Sequence, residues 1–234
     1  MPNQTNQRVL VVVAHPDDAE VGCAGSVAKW AKEGKEVAYV IVTNGDKGSG
    51  DRTMTSERLV KIREEEQRNA ARVLGVERVE FLGYPDGELE NNREVRRDVV
   101  AQIRQWRPHT IVTQSPFRTS NLFASHRDHR ATGDVVLDCV YPLARDHLSF
   151  PELAARGLEP HKVREVYLMW QEDPDTMMDI TDTIDLKLKA LACHRSQFKD
   201  FADWEKRIRE RSAELGKAKG YAYAEPFKRI AIPR

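Results

Sequence analysis

The chain has 234 residues, a length that suits one α/β domain with a single core. Lysine and arginine together number 37 and equal the 37 acidic residues, so the net charge provides no attraction to nucleic acid or to an anionic membrane. The apolar runs are far shorter than the roughly 20 residues of a membrane span, and the polar start Met1–Arg8 lacks the apolar segment of a signal peptide. We therefore expect a soluble, cytoplasmic protein without nucleic-acid or membrane partners.

Apolar, β-branched runs alternate with helical patterns along most of the chain. In chain order the pattern predicts strand Val9–Ala14, helix Ala19–Lys32, strand Val37–Thr43, a helix from Thr55 or Ser56 to Leu74, strand Arg78–Leu82, helix Glu94–Trp106, strand Thr110–Gln114, helix Asp128–Tyr141, strand Val163–Trp170 and helix Thr183–Phe198. Such alternation predicts a single-domain α/β fold with a mainly parallel, doubly wound, Rossmann-like sheet and helices on both faces. We expect the core to span about 8–199 and residues 200–234 to form a peripheral extension.

Two polar loops follow predicted strands. Gly45–Thr53 is rich in glycine, and Ser115–Ser125 has no regular pattern. Ligands of open α/β sheets bind outside the carboxyl ends of the strands, so both loops are expected at the rim of a ligand site. We expect these loops, together with the stretch 146–161, to determine substrate specificity.

Two short motifs also follow predicted strands at this rim. His15-Pro16-Asp17-Asp18 comes directly after the first strand, and His126-Arg127-Asp128-His129 follows the fourth. Imidazole and carboxylate groups are good zinc ligands, and a catalytic zinc site needs three of them and one open position. Either motif alone has a chance explanation, because paired acids often cap helices and H-x-x-H is common. Their shared position at one edge of the sheet favours a metal site.

The residues around these motifs resemble the LmbE-like, or PIG-L, family of zinc N-deacetylases. The resemblance is carried by Ala14-His15-Pro16-Asp17-Asp18, Glu20-Val21-Gly22-Cys23-Ala24-Gly25, Thr43-Asn44-Gly45, Arg63–Glu66 with Leu74-Gly75, Pro85-Asp86-Gly87, His126-Arg127-Asp128-His129 and His194-Arg195-Ser196-Gln197. It covers most of Val9 to Phe198. The whole chain, 1–234, is thereby expected to be one deacetylase domain.

This resemblance implies a role for each matching residue. His15, Asp18 and His129 would bind Zn²⁺, Asp17 would be the general base, and a protonated His126 would stabilise the oxyanion. The implied reaction removes an acetyl or other acyl group from the nitrogen of a small N-acetylglucosamine-type amino sugar or conjugate. An amidase acting on a larger N-acyl or thiol conjugate, or a non-catalytic metal-binding member, remains an alternative. The subunit number is open, and a homo-oligomer is compatible with the sequence.

Other residues have interpretations that do not involve catalysis. The resemblance places Arg63 and Asp86 near the substrate, but Arg63 also suits a surface ion pair and Asp86 a tight turn. Asp128 is interpreted as either an acceptor for an imidazole or a helix-start carboxylate, and His194 as a structural histidine. The four tryptophans are interpreted as packing residues: Trp30, Trp106, Trp170 and Trp204.

Two other protein classes are compatible with parts of the pattern. A receiver-like phosphotransfer domain also has adjacent acids after its first strand, but imidazole ligands favour zinc over magnesium. A dinucleotide-binding domain would need G-x-G-x-x-G, whereas the sequence has Gly22-Cys23-Ala24-Gly25. Both classes agree less well with the sequence than a zinc hydrolase does.

Overall fold

A computed structural model describes residues 7–232, so the Met1–Asn6 part of the polar start lies outside the described residues. The strands are β1 Arg8–Val13, β2 Glu36–Thr43, β3 Arg78–Tyr84, β4 Thr110–Gln114, β5 Glu165–Met169, β6 Thr176–Asp179 and β7 Ala224–Ala231. The helices are α1 Asp18–Lys32, α2 Ser56–Leu74, α3 Arg93–Trp106, α4 Arg127–Asp138, α5 Pro151–Ala154, α6 Ile184–Leu191 and α7 Phe201–Lys217. A kinked π-helical turn, Cys139–Leu143, follows α4.

One seven-stranded sheet forms the centre, in the order β3-β2-β1-β4-β5-β7-β6. The first five of these strands pair in parallel, whereas β7 is antiparallel to both β5 and β6. The order 3-2-1-4-5 is that of a doubly wound fold, so the predicted fold class is confirmed.

Two hydrophobic cores lie on opposite faces of this sheet. Successive residues of a strand point to opposite faces, and in β1 Val9, Val11 and Val13 join one core while Leu10 and Val12 join the other. The first core contains residues of α1, α2 and α6, and the second contains residues of α3 and α4. Burial on both faces explains why the parallel strands are continuous apolar runs in the sequence.

Local signals set the ends of helix α2 where the sequence predicts them. The Thr55 hydroxyl accepts a hydrogen bond from the Arg58 amide at 3.3 Å, and Gly75 ends the helix in the left-handed conformation with φ 79°. Two other predicted helices are shorter than expected. The helix that begins near Asp128 becomes irregular at Tyr141, because the residue before a proline is disfavoured in the α conformation. Helix α6 ends at Leu191 rather than Phe198.

The prediction that residues 200–234 form a peripheral extension is wrong for β7. This strand lies between β5 and β6, and its Phe227 is fully buried in a core. The sequence hides the strand because Glu225 and Pro226 interrupt its apolar pattern. No helix within residues 7–232 combines the length and apolar character that a membrane crossing requires.

Candidate metal centre and active site

The two histidine-containing motifs meet at one edge of the sheet, as predicted. His15 lies in the turn after β1, and His129 lies in the first turn of α4, which follows β4. Strands β1 and β4 are neighbours, but the chain first runs outward through β2 and β3 before it returns to β4. The connections on either side of this point lead in opposite directions, which opens a crevice at the carboxyl ends of the strands.

Three side chains form a compact set of donor atoms in this crevice. His15 Nδ1 lies 3.2 Å from His129 Nε2 and 3.2 Å from Asp18 Oδ2, and His129 Nε2 lies 3.2 Å from Asp18 Oδ1. Tetrahedral zinc with bonds of 2.0–2.1 Å separates neighbouring ligand atoms by roughly 3.3 Å. All three residues are buried, with exposed fractions of 3–8%. Two imidazoles and one carboxylate therefore fit a transition-metal ion in both chemistry and spacing.

Gln114, at the end of β4, holds Asp18 in this position. Its Nε2 donates to Asp18 Oδ2 at 2.8 Å, while its Oε1 accepts from the Ala14 amide at 2.9 Å. The His15 amide donates to the same Asp18 oxygen at 2.7 Å. Sequence reasoning missed Gln114, although a buried amide at the end of an otherwise apolar strand is a signal that would have found it.

The second nitrogen of His15 faces two further carboxylates. His15 Nε2 lies 3.1 Å from Asp86 Oδ1 and 3.2 Å from Asp128 Oδ2. Asp128 is fully buried and also accepts from the Gly87 amide at 2.6 Å. Burial lowers the pKa of His15, but the hydrogen-bonded carboxylates of Asp128 and Asp18 outweigh burial and leave that pKa well above its ordinary value. Asp128 thus acts as an acceptor that orients the imidazole, the first of its two interpretations.

Other groupings of donor atoms are less suited to one ion. The donor atoms of His15, His126 and His129 lie within 4.8 Å of one another, as do those of His15, Asp86 and Asp128. An imidazole that binds a metal through one nitrogen generally donates from the other to a carboxylate. The carboxylates facing His15 Nε2 therefore make Nδ1, on the side of Asp18 and His129, the nitrogen that could bind a metal ion.

Asp17 adopts a strained backbone conformation beside these donors. Its φ of 97° and ψ of −25° lie in the left-handed region, which non-glycine residues rarely occupy. The Asp17 amide donates to Gln67 Oε1 at 2.9 Å, and Gln67 Nε2 donates to both Glu20 oxygens at 3.0 Å. His194 Nε2 lies 3.1 Å from Glu20 Oε2 in the same buried chain. These groups fix the Asp17 backbone, and they agree with the structural interpretation of His194.

Arg63 lies against the Asp17 carboxylate. Arg63 Nη2 is 3.3 Å from Asp17 Oδ2 and donates to the Pro16 carbonyl at 2.8 Å, while Nη1 is 3.9 Å from Asp86 Oδ2. Burial raises the pKa of Asp17 to about 6, although the Arg63 guanidinium opposes that rise. Arg63 is 4% exposed and Asp86 8%, which excludes a surface ion pair for Arg63 and a purely turn-forming role for Asp86.

His126 lies at the start of α4 and is half-buried above the donor set. Its ring centroid is 5.0 Å from that of His15 and 5.1 Å from that of His129. Burial and the two neighbouring imidazoles lower the pKa of His126. Its Nδ1 lies 3.2 Å from the Asp128 amide and accepts a hydrogen bond from it, which leaves the proton of the neutral ring on Nε2. A neutral His126 can therefore donate from Nε2, whereas the resemblance implied a protonated ring.

A cavity of about 490 Å³ opens onto the donor set. Its walls include Lys47 and Gly48 from the Gly45–Thr53 loop and Phe123 from the Ser115–Ser125 loop, which places both loops at the rim as predicted. Among the described residues, the stretch 146–161 contributes nothing to this cavity, because Arg104 of α3 binds the carbonyls of Asp146 and Ser149 at 2.8 and 2.9 Å. The lining of this cavity therefore does not support the expectation that the stretch 146–161 contributes to substrate specificity.

The opposite wall comes from the chain after α6. Gln197, Phe198 and Trp204 line the cavity, and the Trp170 ring lies 4.9 Å from that of His129. The interpretation of all four tryptophans as packing residues is therefore wrong for Trp204, whereas Trp170 packs against the His129 ring. Both follow segments without a recognisable motif, so the sequence contained no signal that would place them here.

Comparison with known proteins agrees with this architecture. The family described as GlcNAc-PI de-N-acetylase (PIG-L) matches residues 10–140. Diacetylchitobiose deacetylase from Thermococcus kodakarensis is 32% identical over 224 residues, which cover 95% of this chain and 82% of that protein. A probable N-acetyl-alpha-D-glucosaminyl L-malate deacetylase 2 from Bacillus anthracis is 27% identical over 200 residues, which cover 83% of each chain.

A solved structure shows the same fold. The N,N'-diacetylchitobiose deacetylase from Pyrococcus horikoshii superimposes with a TM-score of 0.90 at 33% identity, covering 96% of this chain and 84% of that one. The matched segment 10–140 contains both histidine motifs, Arg63 and Asp86. The chain belongs to the PIG-L family of de-N-acetylases.

Proposed function

We propose that this protein is a zinc-dependent N-deacetylase that hydrolyses the acetamido group of an N-acetylglucosamine-type amino sugar or conjugate. The observation that carries the proposal is the set of donor atoms from His15, Asp18 and His129. The two imidazole nitrogens lie 3.2 Å apart, and each lies 3.2 Å from one oxygen of the Asp18 carboxylate. The deacetylase names of the relatives support the reaction, and the names of two of them contain N-acetylated glucosamine units.

The charge around the donor set supports binding of a divalent cation. Four carboxylates, those of Asp17, Asp18, Asp86 and Asp128, surround His15 or adjoin it, and Arg63 is the permanent cation among them. We assign His15, Asp18 and His129 as the zinc ligands. Bound Zn²⁺ polarises an acyl carbonyl and lowers the pKa of water in its coordination sphere.

Asp17 has the position and environment of a general base. Its carboxylate lines the cavity, and its carboxyl pKa of about 6 is higher than that of an ordinary aspartate. In the proposed reaction Asp17 takes a proton from the attacking water at a carboxylate oxygen and then delivers it to the leaving nitrogen. Its hydrogen-bonded backbone holds that carboxylate in one place, which favours proton transfer in both steps.

His126, Arg63 and Asp86 then contact the substrate. The Nε2–H of a neutral His126 donates to the carbonyl oxygen as negative charge develops there during attack. Arg63 and Asp86 face the cavity and hydrogen-bond to sugar hydroxyls as donor and acceptor. Water cleaves the amide bond, and the products are acetate and a free amino sugar.

Acetate release by metal-free and zinc-restored protein tests this function. Chelator-treated protein is assayed with N-acetylglucosamine and N,N'-diacetylchitobiose, and zinc is counted by elemental analysis. We expect about one zinc per chain and acetate release that returns only with zinc. His129→Ala should lose most of the bound zinc, whereas His147→Ala, which removes an exposed histidine, should keep it.

Each contrary outcome removes a different part of the proposal. Normal zinc content in His129→Ala would reject His129 as a ligand. Bound zinc without acetate release from either sugar would reject the deacetylase reaction on these substrates and favour the amidase or non-catalytic alternatives. Acetate release that does not depend on added metal would reject zinc as the cofactor.

A further inference from the structure

Two side chains of helix α2 contact different parts of Asp17. Arg63 lies against the Asp17 carboxylate, with its Nη2 3.3 Å from Oδ2. Gln67, one helical turn later, accepts a hydrogen bond from the Asp17 amide at 2.9 Å. Both side chains are buried, with exposed fractions of 4% for Arg63 and 0% for Gln67. Helix α2 thus holds the carboxylate and the backbone of one residue through two separate contacts.

The backbone contact with Gln67 lies where the chain is strained. Asp17 has φ 97° and ψ −25°, and a non-glycine residue keeps such a conformation only where the surrounding contacts enforce it. The amide that donates to Gln67 Oε1 is the one from which φ of Asp17 is measured. This hydrogen bond therefore restricts φ, and with it the direction in which the side chain leaves the backbone.

Asp17 also occupies the N-cap position of helix α1, where its carbonyl accepts from the Val21 amide at 3.0 Å. An aspartate at an N-cap ordinarily has an extended backbone, and its carboxylate accepts a hydrogen bond from an amide of the first helical turn. In the described part of the chain, the Asp17 carboxylate makes no such bond to α1 and instead lines the site cavity. The left-handed backbone therefore directs the carboxylate to the cavity rather than to its own helix.

Glu20 determines which end of the Gln67 amide group faces Asp17. Glu20 is fully buried, and its two oxygens each lie 3.0 Å from Gln67 Nε2. A carboxylate accepts hydrogen bonds, so the Gln67 NH₂ group faces Glu20 and the Gln67 carbonyl oxygen is left for the Asp17 amide. His194 Nε2 lies 3.1 Å from Glu20 Oε2 and donates to it. Glu20 thus makes Gln67 an acceptor on the side of Asp17.

We propose that Gln67 is a positioning residue that selects between two conformations of Asp17. Its hydrogen bond stabilises the left-handed conformation, in which the carboxylate serves as the base, over the extended conformation, in which the carboxylate caps α1. Gln67 is not among the described residues that line the cavity, so it acts through Asp17. The inference rests on the proposed deacetylase function and adds the residue that directs the base of that reaction.

The test is the kinetics of Gln67→Met, which removes both hydrogen-bonding ends of the amide at similar volume. We expect kcat for acetate release to fall roughly 10²-fold, because a small displacement of a catalytic group costs about that factor. KM and zinc content should stay close to the native values, since an interaction that matters only in the transition state changes kcat alone. A crystal structure of the variant should show Asp17 with a negative φ and its carboxylate on the first amides of α1.

Exchange of the two buried side chains provides a rescue. In Gln67→Glu alone two carboxylates face each other, and kcat should be low. In the double variant Glu20→Gln with Gln67→Glu, the carboxylate at position 67 again accepts from the Asp17 amide. The amide at position 20 then donates to that carboxylate and accepts from His194. We expect the double variant to recover most of kcat, and it decides the question if Gln67→Met does not fold.

Glu66→Ala is the matched control, one position earlier on the same helix. Glu66 accepts from the Ser196 amide and hydroxyl at 2.8 and 2.7 Å, so its loss also removes two hydrogen bonds of α2. We expect this variant to unfold at a lower temperature and to keep its kcat. Equal losses of kcat in Glu66→Ala and Gln67→Met would assign Gln67 to general stability and overturn the proposal.

Other results would also overturn the inference. Native kcat in Gln67→Met, or a left-handed Asp17 in its crystal structure, would reject the selection by Gln67 while the deacetylase function stands. A folded, zinc-loaded double variant with kcat as low as that of Gln67→Glu would do the same. Absence of acetate release from the native protein would instead reject the deacetylase function, and the role of Gln67 in it.

Discussion

Two clusters of buried charge contact helix α1, and their charges are balanced differently. In the Lys187 cluster, which consists of Lys187, Glu225 and Ser26, one cation meets one anion at 2.6 Å. The Ser26 hydroxyl and amide donate to the same carboxylate at 2.6 and 2.7 Å, and Lys187 also donates to the Val21 carbonyl at 2.8 Å. These contacts tie α1, α6 and β7 together, and no net charge is left over.

The His15 cluster is defined here as His15, His129, Arg63 and the carboxylates of Asp17, Asp18, Asp86 and Asp128. Its carboxylates outnumber its one permanent cation, and its Asp17 backbone is strained. Burial of unbalanced charge is costly unless a counterion is present, whereas a balanced and hydrogen-bonded pair can serve as an internal tie. The excess of carboxylates in the His15 cluster therefore favours binding of a cation, whereas the balanced Lys187 cluster stabilises the fold.

Among the variants that test this difference between the two clusters, Asp17→Asn should have the largest effect, a loss of acetate release. The amide cannot accept the proton of water, so we expect acetate release to fall by a factor on the order of 10²–10⁴ with zinc content retained. Asp51→Asn, which changes an exposed acid in the Gly45–Thr53 loop, is the matched control. Near-native turnover by Asp17→Asn would remove Asp17 from the proton-transfer role.

Lys187→Met should change stability and leave zinc binding intact. It leaves the buried Glu225 carboxylate without its cation, and breaking such a pair costs about 3–5 kcal/mol of unfolding free energy. Urea unfolding measures the loss, and Lys189→Met, on the exposed face of the same helix, should remain within about 0.5 kcal/mol of the native protein. If Lys187→Met lost zinc while its stability stayed native, the distinction between the two clusters would fail.

His126→Ala should lower acetate release by a factor on the order of 10²–10³, because a donor to the developing oxyanion is lost. His126 also caps α4, so the variant loses a helix contact as well. His126→Asn separates these roles, since asparagine caps helices well but lacks the ring Nε2–H. Stability should return in His126→Asn while turnover stays low. Recovery of both properties would assign His126 to capping alone.

Asp128→Asn should have the smallest effect of these variants, a lower affinity for zinc. The acceptor for His15 Nε2 becomes weaker, and loss of such a partner typically costs 10–100-fold in affinity. Competition with a chromogenic chelator measures the zinc dissociation constant. Asp134→Asn, on the exposed side of the same helix, should bind zinc like the native protein. Equal affinities in the two variants would show that Asp128 does not support the metal site.

The sequence predicts much of the candidate site because its key residues lie in two short motifs at strand ends. His15, Asp17 and Asp18 are fixed by one turn after β1, and His126 and His129 by one helix start. The ends of strands and helices follow from the periodicity of apolar residues, which can be read directly from the sequence. The assignment of these residues as ligands, base and oxyanion donor remains a prediction for the variants above to test.

The residues that hold the Asp17 backbone in place are harder to identify from the sequence. Gln67 and Glu20 are 47 residues apart, and His194 is 174 residues from Glu20, yet the three form one buried chain. Each residue type is ordinary in its own helix or loop. These residues are recognised as parts of the site only because they contact one another, and a single sequence does not show which distant residues are in contact.

The sequence by itself determined the alternation of strands and helices, the parallel doubly wound sheet and the edge at which the two motifs meet. These features depend on periodicity and on turn residues, which act over a few positions. Tertiary structure decided the place of β7, the role of Asp128 and the positions of Trp170 against His129 and of Trp204 in the cavity wall. Those features depend on packing between distant segments, as when the Gly25 amide donates to Glu225, 200 residues away.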